Sequence, residues 1–390
     1  MTPAARVQTS IELLDAIIGA ARSKGAPADR ILAEWFRGHR FAGSKDRRAI
    51  RELVYSAIRA CGPMPATGRA AMLRLAETDS TIRPLFDGSK YGPAPIAEGE
   101  AAAEGGVAPA WLTERLRGSD IVGAEAAALL DRAPLDLRVN TLKAERATLA
   151  LPETAQNTAA PHGLRLPTGT PVEQWPAFRE GAVEVQDTGS QLACTALAAR
   201  PGETVIDLCA GGGGKTLALA AAMDNLGRLV ASDTDRGRLS RLGPRAERAG
   251  ASNIETVLLN PQQELDALAE FVGLADAVLI DAPCSGTGTW RRNPEARWRL
   301  DEKELQRLAA TQSHLLDLAA KLVKPGGRIV YVTCSLLDEE GAGQFEAFLA
   351  RHPGLAPRET DLPLGRNRKA GTRLTPFHDG TDGFFIACAG

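Results

Sequence analysis

Residues 275–294 read ADAVLIDAPCSGTGTWRRNP, and this stretch determines the architecture expected for the rest of the chain. Residues 275–280 are mostly apolar and partly β-branched, which is typical of a strand buried on both faces of a parallel sheet. Pro283 cannot donate to a sheet ladder, so the strand must end there and release a loop rich in glycine. We therefore expect Asp281 and Cys284 at the carboxyl end of a central strand, where open α/β sheets bind ligands.

A second segment has the same design. Residues 326–335 read GGRIVYVTCS, a β-branched strand that starts with glycine and ends in Cys334. If the two strands are neighbours, Cys284 and Cys334 face each other across one crevice. The alternative is that both are ordinary buried cysteines, acting only as small apolar side chains. Two cysteines at equivalent strand ends, one of them beside Asp281, favour a chemical role.

Length and composition limit the remaining possibilities. The chain has 390 residues, which suggests two or three domains. Its net charge of −2 argues against a uniformly basic nucleic-acid binder. Its six cysteines include no Cys-x-x-Cys pair, so we expect no structural metal and no disulfide framework. We also expect a cytoplasmic protein, because no stretch resembles a signal peptide or a membrane span. Local basic patches that could contact nucleic acid are residues 45–48, 291–299 and 366–373.

The order of patterns along the chain predicts three domains. Residues 6–61 carry three apolar stripes at helical spacing and predict a small helical bundle. Residues 87–109 have the composition of a flexible connector. Short strands and proline-rich loops then predict a small mixed subdomain, and alternating strands and helices predict a doubly wound, mostly parallel sheet. The predicted domains are 1–134, 135–185 and 186–390.

A glycine loop follows the first strand of this sheet and reads DLCAGGGGKT at 207–216. A phosphate-binding P-loop requires glycine where Cys209 stands, and a dinucleotide fingerprint requires a third glycine where Thr216 or Leu217 stands. What remains is a glycine turn with Asp233 at the end of the second strand, placed to accept hydrogen bonds from ribose hydroxyls. Adenosine without a pyrophosphate satisfies this pattern, which points to S-adenosylmethionine.

Several motifs resemble those of RNA cytosine-5 methyltransferases of the Nop/Sun type. These are DAPCSGTG at 281–288, TCS at 333–335 followed by DEE at 338–340, and GGK at 213–215. The resemblance covers most of the chain, since GSKDRR at 43–48 is similar to a NusB-like RNA-binding domain and LRVNTLK at 137–143 to the family's small subdomain. It implies a Rossmann-like class I methyltransferase domain, an all-α NusB-like domain at the N-terminus and a small α+β subdomain. Two departures are Gly212, where the family usually has proline, and Asn260, where it has an acidic residue near the adenine.

The resemblance also implies a reaction and its residues. It implies methylation of cytosine C5 in RNA, with 16S ribosomal RNA as substrate, by a monomeric protein that uses S-adenosylmethionine. A thiolate that adds to C6 activates C5, and this role goes to Cys334 while Cys284 assists product release. Asp281 would hold the flipped base or the methionine end of the cofactor, with Arg291, Arg292 and Trp298 as RNA contacts outside the pocket. The implied cofactor-binding residues are Cys209, Ala210, Gly211, Gly212, Gly213, Gly214, Lys215, Asp233, Asn260 and Asp281.

Two other classes of function remain open at this point. A non-catalytic RNA-binding or ribosome-assembly factor could retain the same fold, although the presence of both cysteines and Asp281 argues against it. A P-loop NTPase is disfavoured because Cys209 occupies the first loop position.

Overall fold

The computed structural model describes residues 1–390 and divides them into two compact units. The first unit comprises Met1–Asp131 and Thr289–Asp301, and the second comprises Arg132–Gly288 and Glu302–Gly390. The segment Thr289–Asp301 lies inside the range 186–390 of the predicted catalytic domain, yet it belongs to the helical unit. None of the helices combines the length and the apolar character that crossing a membrane requires.

Helices make up most of the first unit, as the apolar stripes predict. Thr2 and Thr67 cap two of the helices by accepting hydrogen bonds from the backbone N–H of Ala5 and Ala70. The segment Thr289–Asp301 adds a short 3₁₀ helix, Pro294–Trp298, whose Trp298 belongs to the same apolar core. The α-helices are α1 Pro3–Arg22, α2 Ala28–Gly38, α3 Ser44–Ala60, α4 Gly68–Thr78, α5 Ala110–Gly118 and α6 Gly123–Ala127.

The second unit begins with a small antiparallel sheet and one short helix. Its strand order is β2-β3-β1-β4, and the apolar sides of these strands enclose a separate small core that includes Leu137, Val139 and Trp175. The elements are β1 Leu135–Val139, β2 Gln156–Asn157, β3 Gly163–Leu166, α7 Pro176–Arg179 and β4 Val183–Val185. This region is the small α+β subdomain expected from the sequence.

The rest of the second unit is a nine-stranded sheet with helices, ordered β11-β12-β13-β9-β8-β5-β6-β7, and β10 also pairs with β13. Strands β9, β8, β5, β6 and β7 are parallel, whereas β13 runs antiparallel to β9. The strands are β5 Thr204–Asp207, β6 Arg228–Asp233, β7 Ile254–Leu258, β8 Ala275–Asp281, β9 Val323–Thr333, β10 Pro357–Arg358, β11 Arg366–Arg368, β12 Gly371–Leu374 and β13 Phe384–Ala389. The helices are α8 Thr188–Leu197, α9 Gly214–Ala222, α10 Arg236–Leu239, α11 Leu242–Ala249, α12 Glu264–Ala267, α13 Glu302–Leu322, α14 Ala342–Arg351 and α15 Pro376–Asp379. The doubly wound, mostly parallel architecture predicted from the sequence is confirmed.

Two details of this sheet differ from the sequence expectation. The predicted Pro-Gly-Gly turn at 325–327 lies inside β9, where the pairing with β8 shifts between Ala275 and Ala277 and Gly326 adopts a φ of +74°. The last strand, β13, was expected at one side of the sheet, but the hairpin β11–β12 continues the sheet beyond it. The hairpin is hard to recognise because its strands are short and rich in arginine rather than in alternating apolar residues.

The strand order determines where the loops meet. Parallel strands present their carboxyl ends at one edge of the sheet, and β5, β6, β8 and β9 are all parallel neighbours. Asp207, Asp233, Asp281 and Thr333 end these four strands and therefore lie along that edge. The loops that follow them enclose the candidate site.

Candidate active site

A cavity of about 690 Å³ opens at this edge, entirely within the second unit. Side chains from the loops after β5, β6, β7, β8 and β9 and from α13 line it, which is a common arrangement for a small-molecule site. Its lining includes Cys209, Asp233, Asp281, Pro283, Cys284, Cys334, Thr311 and His314. No group of three or more His, Cys, Asp or Glu side chains is arranged to hold a metal ion.

The two cysteines of the motif loops lie against each other in this cavity. The sulfur atoms of Cys284 and Cys334 are 3.3 Å apart and share a hydrogen bond. The hydrogen bond to Cys334, burial and the charge of Glu340 raise the pKa of Cys284 well above its ordinary value. Cys284 is therefore a protonated thiol at neutral pH, and either sulfur can be the donor in this hydrogen bond. A donated hydrogen bond stabilises a thiolate, the form of cysteine that acts as a nucleophile.

Backbone hydrogen bonds to Cys334 and to Gly383 hold the loop that carries Cys284 in place. Gly288 donates from its N–H to the Cys334 carbonyl at 2.9 Å and accepts from the Gly383 N–H at 2.8 Å. A Cβ added at Gly288 would lie 2.2 Å from the Gly383 carbonyl oxygen, so only glycine allows this approach. The sequence TDGFF at 381–385 therefore contributes to the position of the cysteine loop through Gly383.

Glu340, in the loop after β9, connects the loop after β8 to helix α13 through hydrogen bonds of its side chain. Its fully buried carboxylate accepts hydrogen bonds from the Ser285 N–H at 2.8 Å, from the Ser285 hydroxyl and from Gln312 at 3.0 Å. The Tyr331 hydroxyl donates to the Glu340 carbonyl at 2.6 Å. Sequence analysis quoted Glu340 as part of a motif but gave it no role. The signal that could have found it is an acidic residue a few positions after a cysteine-bearing strand end.

Lys215, expected only as a cofactor-loop residue, forms an ion pair with Asp281 at 2.6 Å. Burial is the largest single effect and would lower the pKa of Lys215, but the charge and hydrogen bond of Asp281, together with Cys194 and Cys334, outweigh it and the pKa is raised. The ammonium also lies 5.7 Å from the centre of the Phe384 ring, where a cation is attracted to the aromatic face. Asp281, paired with the Lys215 ammonium, lies on the wall of the cavity that also carries the two sulfurs.

A hydrogen bond joins the glycine loop to Asp233. The Gly211 N–H donates to Asp233 at 2.8 Å, and the other Asp233 oxygen accepts from the Asp235 N–H at 2.8 Å. Gly211 and Gly213 have φ values of +55° and +84°, and a Cβ on Gly213 would lie 2.2 Å from a Leu242 methyl carbon. At Gly212, where the family usually has proline, the carbonyl accepts a hydrogen bond from Arg245 at 2.5 Å. The arginine supplies an anchor at the position where the proline is missing.

Of the remaining predicted cofactor residues, only Cys209 lines the cavity. Ala210 lies in the same loop, Gly214 begins α9, and a Cβ at Gly214 would meet no atom within 4 Å. Cys209 lines the cavity, and burial raises the pKa of its thiol well above the ordinary value. Asn260 is exposed and is not part of the lining, although both of its chain neighbours, Leu259 and Pro261, are.

Asp207, which the sequence analysis left without a role, is a buried carboxylate at the start of the glycine loop. Burial raises its pKa to about 7, and the charges of Asp281 and Asp233 act in the same direction. One of its oxygens accepts a hydrogen bond from Thr216 at 2.7 Å, and the other has no hydrogen-bond partner. An unpaired buried oxygen beside a loop with open space at the start of α9 fits a ligand that donates hydrogen bonds.

Two of the basic patches are used within the protein. Arg297 is fully buried and donates to the carbonyls of Ile58 and Cys61, and Trp298 is buried in the helical unit. Arg291 is buried as well, which contradicts the RNA contact expected there, whereas Trp298 is packed in the core of the helical unit. In the patch at 366–373, Arg368 and Arg373 both form ion pairs with Asp338.

A parallel sheet with a glycine turn after its first strand and an acidic residue ending its second is the arrangement of the nucleoside-binding α/β folds, to which class I methyltransferases belong. Residues 194–389 match the family model described as 16S rRNA methyltransferase RsmB/F, and the chain belongs to this family. S-adenosylmethionine is accordingly the cofactor, and the cavity, the glycine loop and Asp233 fit its adenosine.

Similar proteins agree with this family. The chain is 39% identical over 269 residues to "Probable ribosomal RNA small subunit methyltransferase B" of Synechocystis, covering 65% of this chain and 59% of that protein. It is 37% identical over 295 residues to "Ribosomal RNA small subunit methyltransferase B" of Salmonella arizonae, covering 72% and 65%. The chain thus spans 59 to 65% of the length of these curated relatives. The crystal structure of PH0851 is 26% identical, covers 100% of this chain and 99% of its own, and superposes with a TM-score of 0.76.

Proposed function

We propose that this protein transfers a methyl group to C5 of cytosine in RNA, and that its substrate is 16S ribosomal RNA. The observation that carries the proposal is the pair of sulfurs, Cys284 and Cys334, 3.3 Å apart on the wall of the cavity that also contains Asp233. One thiol would suffice for most nucleophilic chemistry. Two thiols in contact suit a reaction in which a sulfur must first add to the substrate and later leave it.

The chemistry of cytosine explains the need for this pair. C5 is a poor nucleophile because the ring is aromatic. When the Cys334 thiolate adds to C6, a carbon–sulfur bond forms and the ring electrons move toward C5, which becomes nucleophilic. S-adenosylmethionine supplies the electrophilic methyl group that C5 then takes up. The Cys284 thiol, 3.3 Å from the Cys334 sulfur, is close enough to take up a proton from it or return one before and after this addition.

Asp281 and Lys215 supply the polar side of the pocket. The Asp281 carboxylate accepts a hydrogen bond from Lys215, with which it forms an ion pair, and it lines the cavity. We assign Asp281 to the amino group of the flipped cytosine, a hydrogen-bond donor that uracil lacks. The base has to leave its stack to reach this pocket, as in other enzymes that modify bases.

Release of the product completes the cycle. The proton on C5 passes to solvent water, the C5–H electron pair restores the C5–C6 double bond, and the carbon–sulfur electron pair leaves with Cys334 as a thiolate. Cys284 assists this step because it contacts the departing sulfur and can exchange a proton with it.

The test uses RNA in which cytidine is replaced by 5-fluorocytidine. Fluorine at C5 cannot leave as a proton, so the adduct with Cys334 should persist and migrate as a protein–RNA band on a denaturing gel. Cys334→Ala should give no such band and no transfer of tritiated methyl groups to ordinary RNA. Cys388→Ala, which removes a buried thiol of β13, is the control and should behave as the unmodified protein.

A second variant separates the roles of the two cysteines. Cys284→Ala should accumulate the covalent adduct on ordinary cytidine RNA, because addition still occurs and release is slow. Full methyl incorporation by Cys334→Ala would overturn the proposal. Bound RNA with neither methyl incorporation nor adduct in the unmodified protein would instead favour a non-catalytic assembly factor.

A further inference from the structure

The segment after β7 forms the end of the cavity opposite to the two sulfurs along the sheet edge. The parallel strands are ordered β9-β8-β5-β6-β7, so the cysteine loops lie at one end of this edge and Asp233, which ends β6, lies toward the other. Residues 259–264 follow β7, one strand spacing of about 4.8 Å beyond Asp233. In S-adenosylmethionine the sulfonium and the base are attached to opposite sides of the ribose. With the ribose at Asp233 and the methyl group facing the sulfurs, an orientation that rests on the proposed function, the adenine would extend to residues 259–264.

Glu264 brings a buried carboxylate to this end of the cavity. It is part of the cavity lining and is 6% exposed. Its Oε1 accepts a hydrogen bond from the Gln262 backbone N–H at 3.0 Å, and its Oε2 accepts one from Nε2 of His314 at 3.0 Å. Because a carboxylate can accept about four hydrogen bonds, Glu264 retains the capacity to accept one from a ligand.

His314 and the backbone keep Glu264 an acceptor. Burial, the largest single effect, would raise the pKa of Glu264, but the hydrogen bonds from backbone N–H groups and from His314 outweigh it and the pKa is lowered. A carboxylate cannot donate, so the hydrogen atom between the two side chains is on Nε2 of His314. His314 lies on α13 and also lines the cavity. The bond therefore joins the two elements that form this end of the cavity.

Asn260, which the family pattern places near the adenine, is not at this end of the cavity. It is exposed and outside the lining, whereas Leu259, Pro261 and Gln262 belong to the lining. Gln262 has a φ of +69°, a left-handed conformation that is uncommon for a residue with a side chain. This turn directs the Gln262 N–H to Glu264. The acceptor that the cavity presents to a base is thus Glu264, four positions after Asn260.

We propose that Glu264 recognises the exocyclic amino group of the cofactor's adenine and that His314 positions its carboxylate. The amino group donates hydrogen bonds and an ionised carboxylate only accepts them, so the two groups are complementary. Hypoxanthine, the deaminated counterpart of adenine, carries a carbonyl oxygen at the same place and would set an acceptor against an acceptor. Glu264 is therefore a residue that determines the specificity for the purine. The competing assignment gives this role to Asn260.

The test compares S-adenosylhomocysteine with S-inosylhomocysteine, which carry an amino and a carbonyl group on the purine. Calorimetry with the full-length protein, without RNA, gives both affinities. The unmodified protein should bind the adenosyl compound at least roughly ten-fold more tightly, because the hydrogen bond to Glu264 is charge-assisted. Glu264→Gln keeps the shape of the side chain but exchanges one acceptor oxygen for a donor. It should weaken binding of the adenosyl compound by roughly ten-fold without weakening that of the inosyl compound, so that the preference disappears.

The matched control is Glu247→Gln, the same exchange on an exposed carboxylate of α11 outside the cavity lining. Both affinities should be unchanged in this variant. If Glu264 only supported the fold of the segment after β7, Glu264→Gln would weaken both compounds equally. That outcome, or a preference that persists in Glu264→Gln, would overturn the proposal.

Further variants test the positioning role and the competing assignment. His314→Gln retains a donor at a similar distance from the backbone and should keep the preference, whereas His314→Leu removes the donor and should reduce the preference by roughly three-fold or more. Asn260→Ala should leave the preference intact. A preference lost in Asn260→Ala, or absent from the unmodified protein, would contradict the assignment to Glu264. Because neither RNA nor methyl transfer is involved, these outcomes are distinguishable from those of the adduct test for cytosine-5 chemistry.

Discussion

At the scale of single residues, the cysteine pair could be anticipated and its environment could not. The sequence places Cys284 and Cys334 after two β-branched strands, and parallel pairing of those strands is enough to bring them together. The ion pair of Lys215 with Asp281 depends on the path of two different loops, which no local pattern specifies. For the same reason the role of Gly383 became visible only from the backbone contacts of Gly288.

Asp207 leads to a prediction about pH at this scale. Its folded pKa of about 7 lies above the ordinary value of 3.8, so the folded state holds a proton that the unfolded state releases between these values. The resulting stability is present below pH 3.8 and is lost as pH rises toward 7. Asp207→Asn removes the ionisable group, so the variant does not lose this stability as the pH rises. The difference in unfolding free energy, variant minus wild type, should therefore increase from pH 4 to pH 8, by up to about 4 kcal/mol.

Urea unfolding at several pH values measures this difference. Asp224→Asn, on an exposed carboxylate outside the site, is the control for the exchange of aspartate for asparagine, and the change with pH for Asp207→Asn should exceed the change that it shows. A flat difference for Asp207→Asn would mean that Asp207 is not protonated in the folded state at mild pH.

At the scale of elements, the parallel strands were predictable because they are apolar and alternate with helices. The hairpin β11–β12 was not, because charged side chains fill it and only their pairing with Asp338 explains their position. The Pro-Gly-Gly segment is a related case, since the pattern that predicts a turn is accommodated as an irregularity within β9. Local sequence therefore indicates a bend in the chain but not whether the strand continues through it.

Glu340 makes a prediction about how these elements support catalysis. It links the loop after β8, helix α13 and the loop after β9 through Ser285, Gln312 and its own backbone. Glu340→Gln exchanges one acceptor oxygen for a donor group that faces donors, so the cysteine loop should lose its fixed position. We expect kcat to fall by at least about ten-fold and the unfolding free energy by about 1–3 kcal/mol.

The position of Glu340 outside the cavity lining allows a specific control. Affinity for S-adenosylmethionine, measured by calorimetry, should be unchanged, since Glu340 does not line the cavity. Glu339→Gln removes the adjacent charge, which is only partly buried, and should retain near-normal kcat. A loss of cofactor affinity equal to the loss of kcat would indicate that the whole site had collapsed and would argue against a positioning role.

At the scale of the whole molecule, the two units are not consecutive in sequence. The chain leaves the second unit after Gly288, directly beyond the cysteine loop, contributes Thr289–Asp301 to the helical unit and returns at Glu302. Sequence analysis assigned this segment to the catalytic domain because nothing in TWRRNPEARWR marks a domain boundary. Its buried residues, Trp290, Arg297 and Trp298, identify its partner only once the helices are folded.

This arrangement predicts that the helical unit depends on the segment for its stability. Trp298 is 6% exposed in the helical core, and its indole N–H donates to the Gly62 carbonyl at 3.2 Å. Trp298→Ala should lower the free energy of opening of α1, α3 and α4 by about 3–5 kcal/mol, as measured by native-state hydrogen exchange. Trp175→Ala removes a tryptophan with the same 6% exposure from the small antiparallel sheet, and its effect should be confined to β1, β3 and β4. If the helices kept their protection in Trp298→Ala, the segment would be a passive connector, and the helical unit would be stable on residues 1–131 alone.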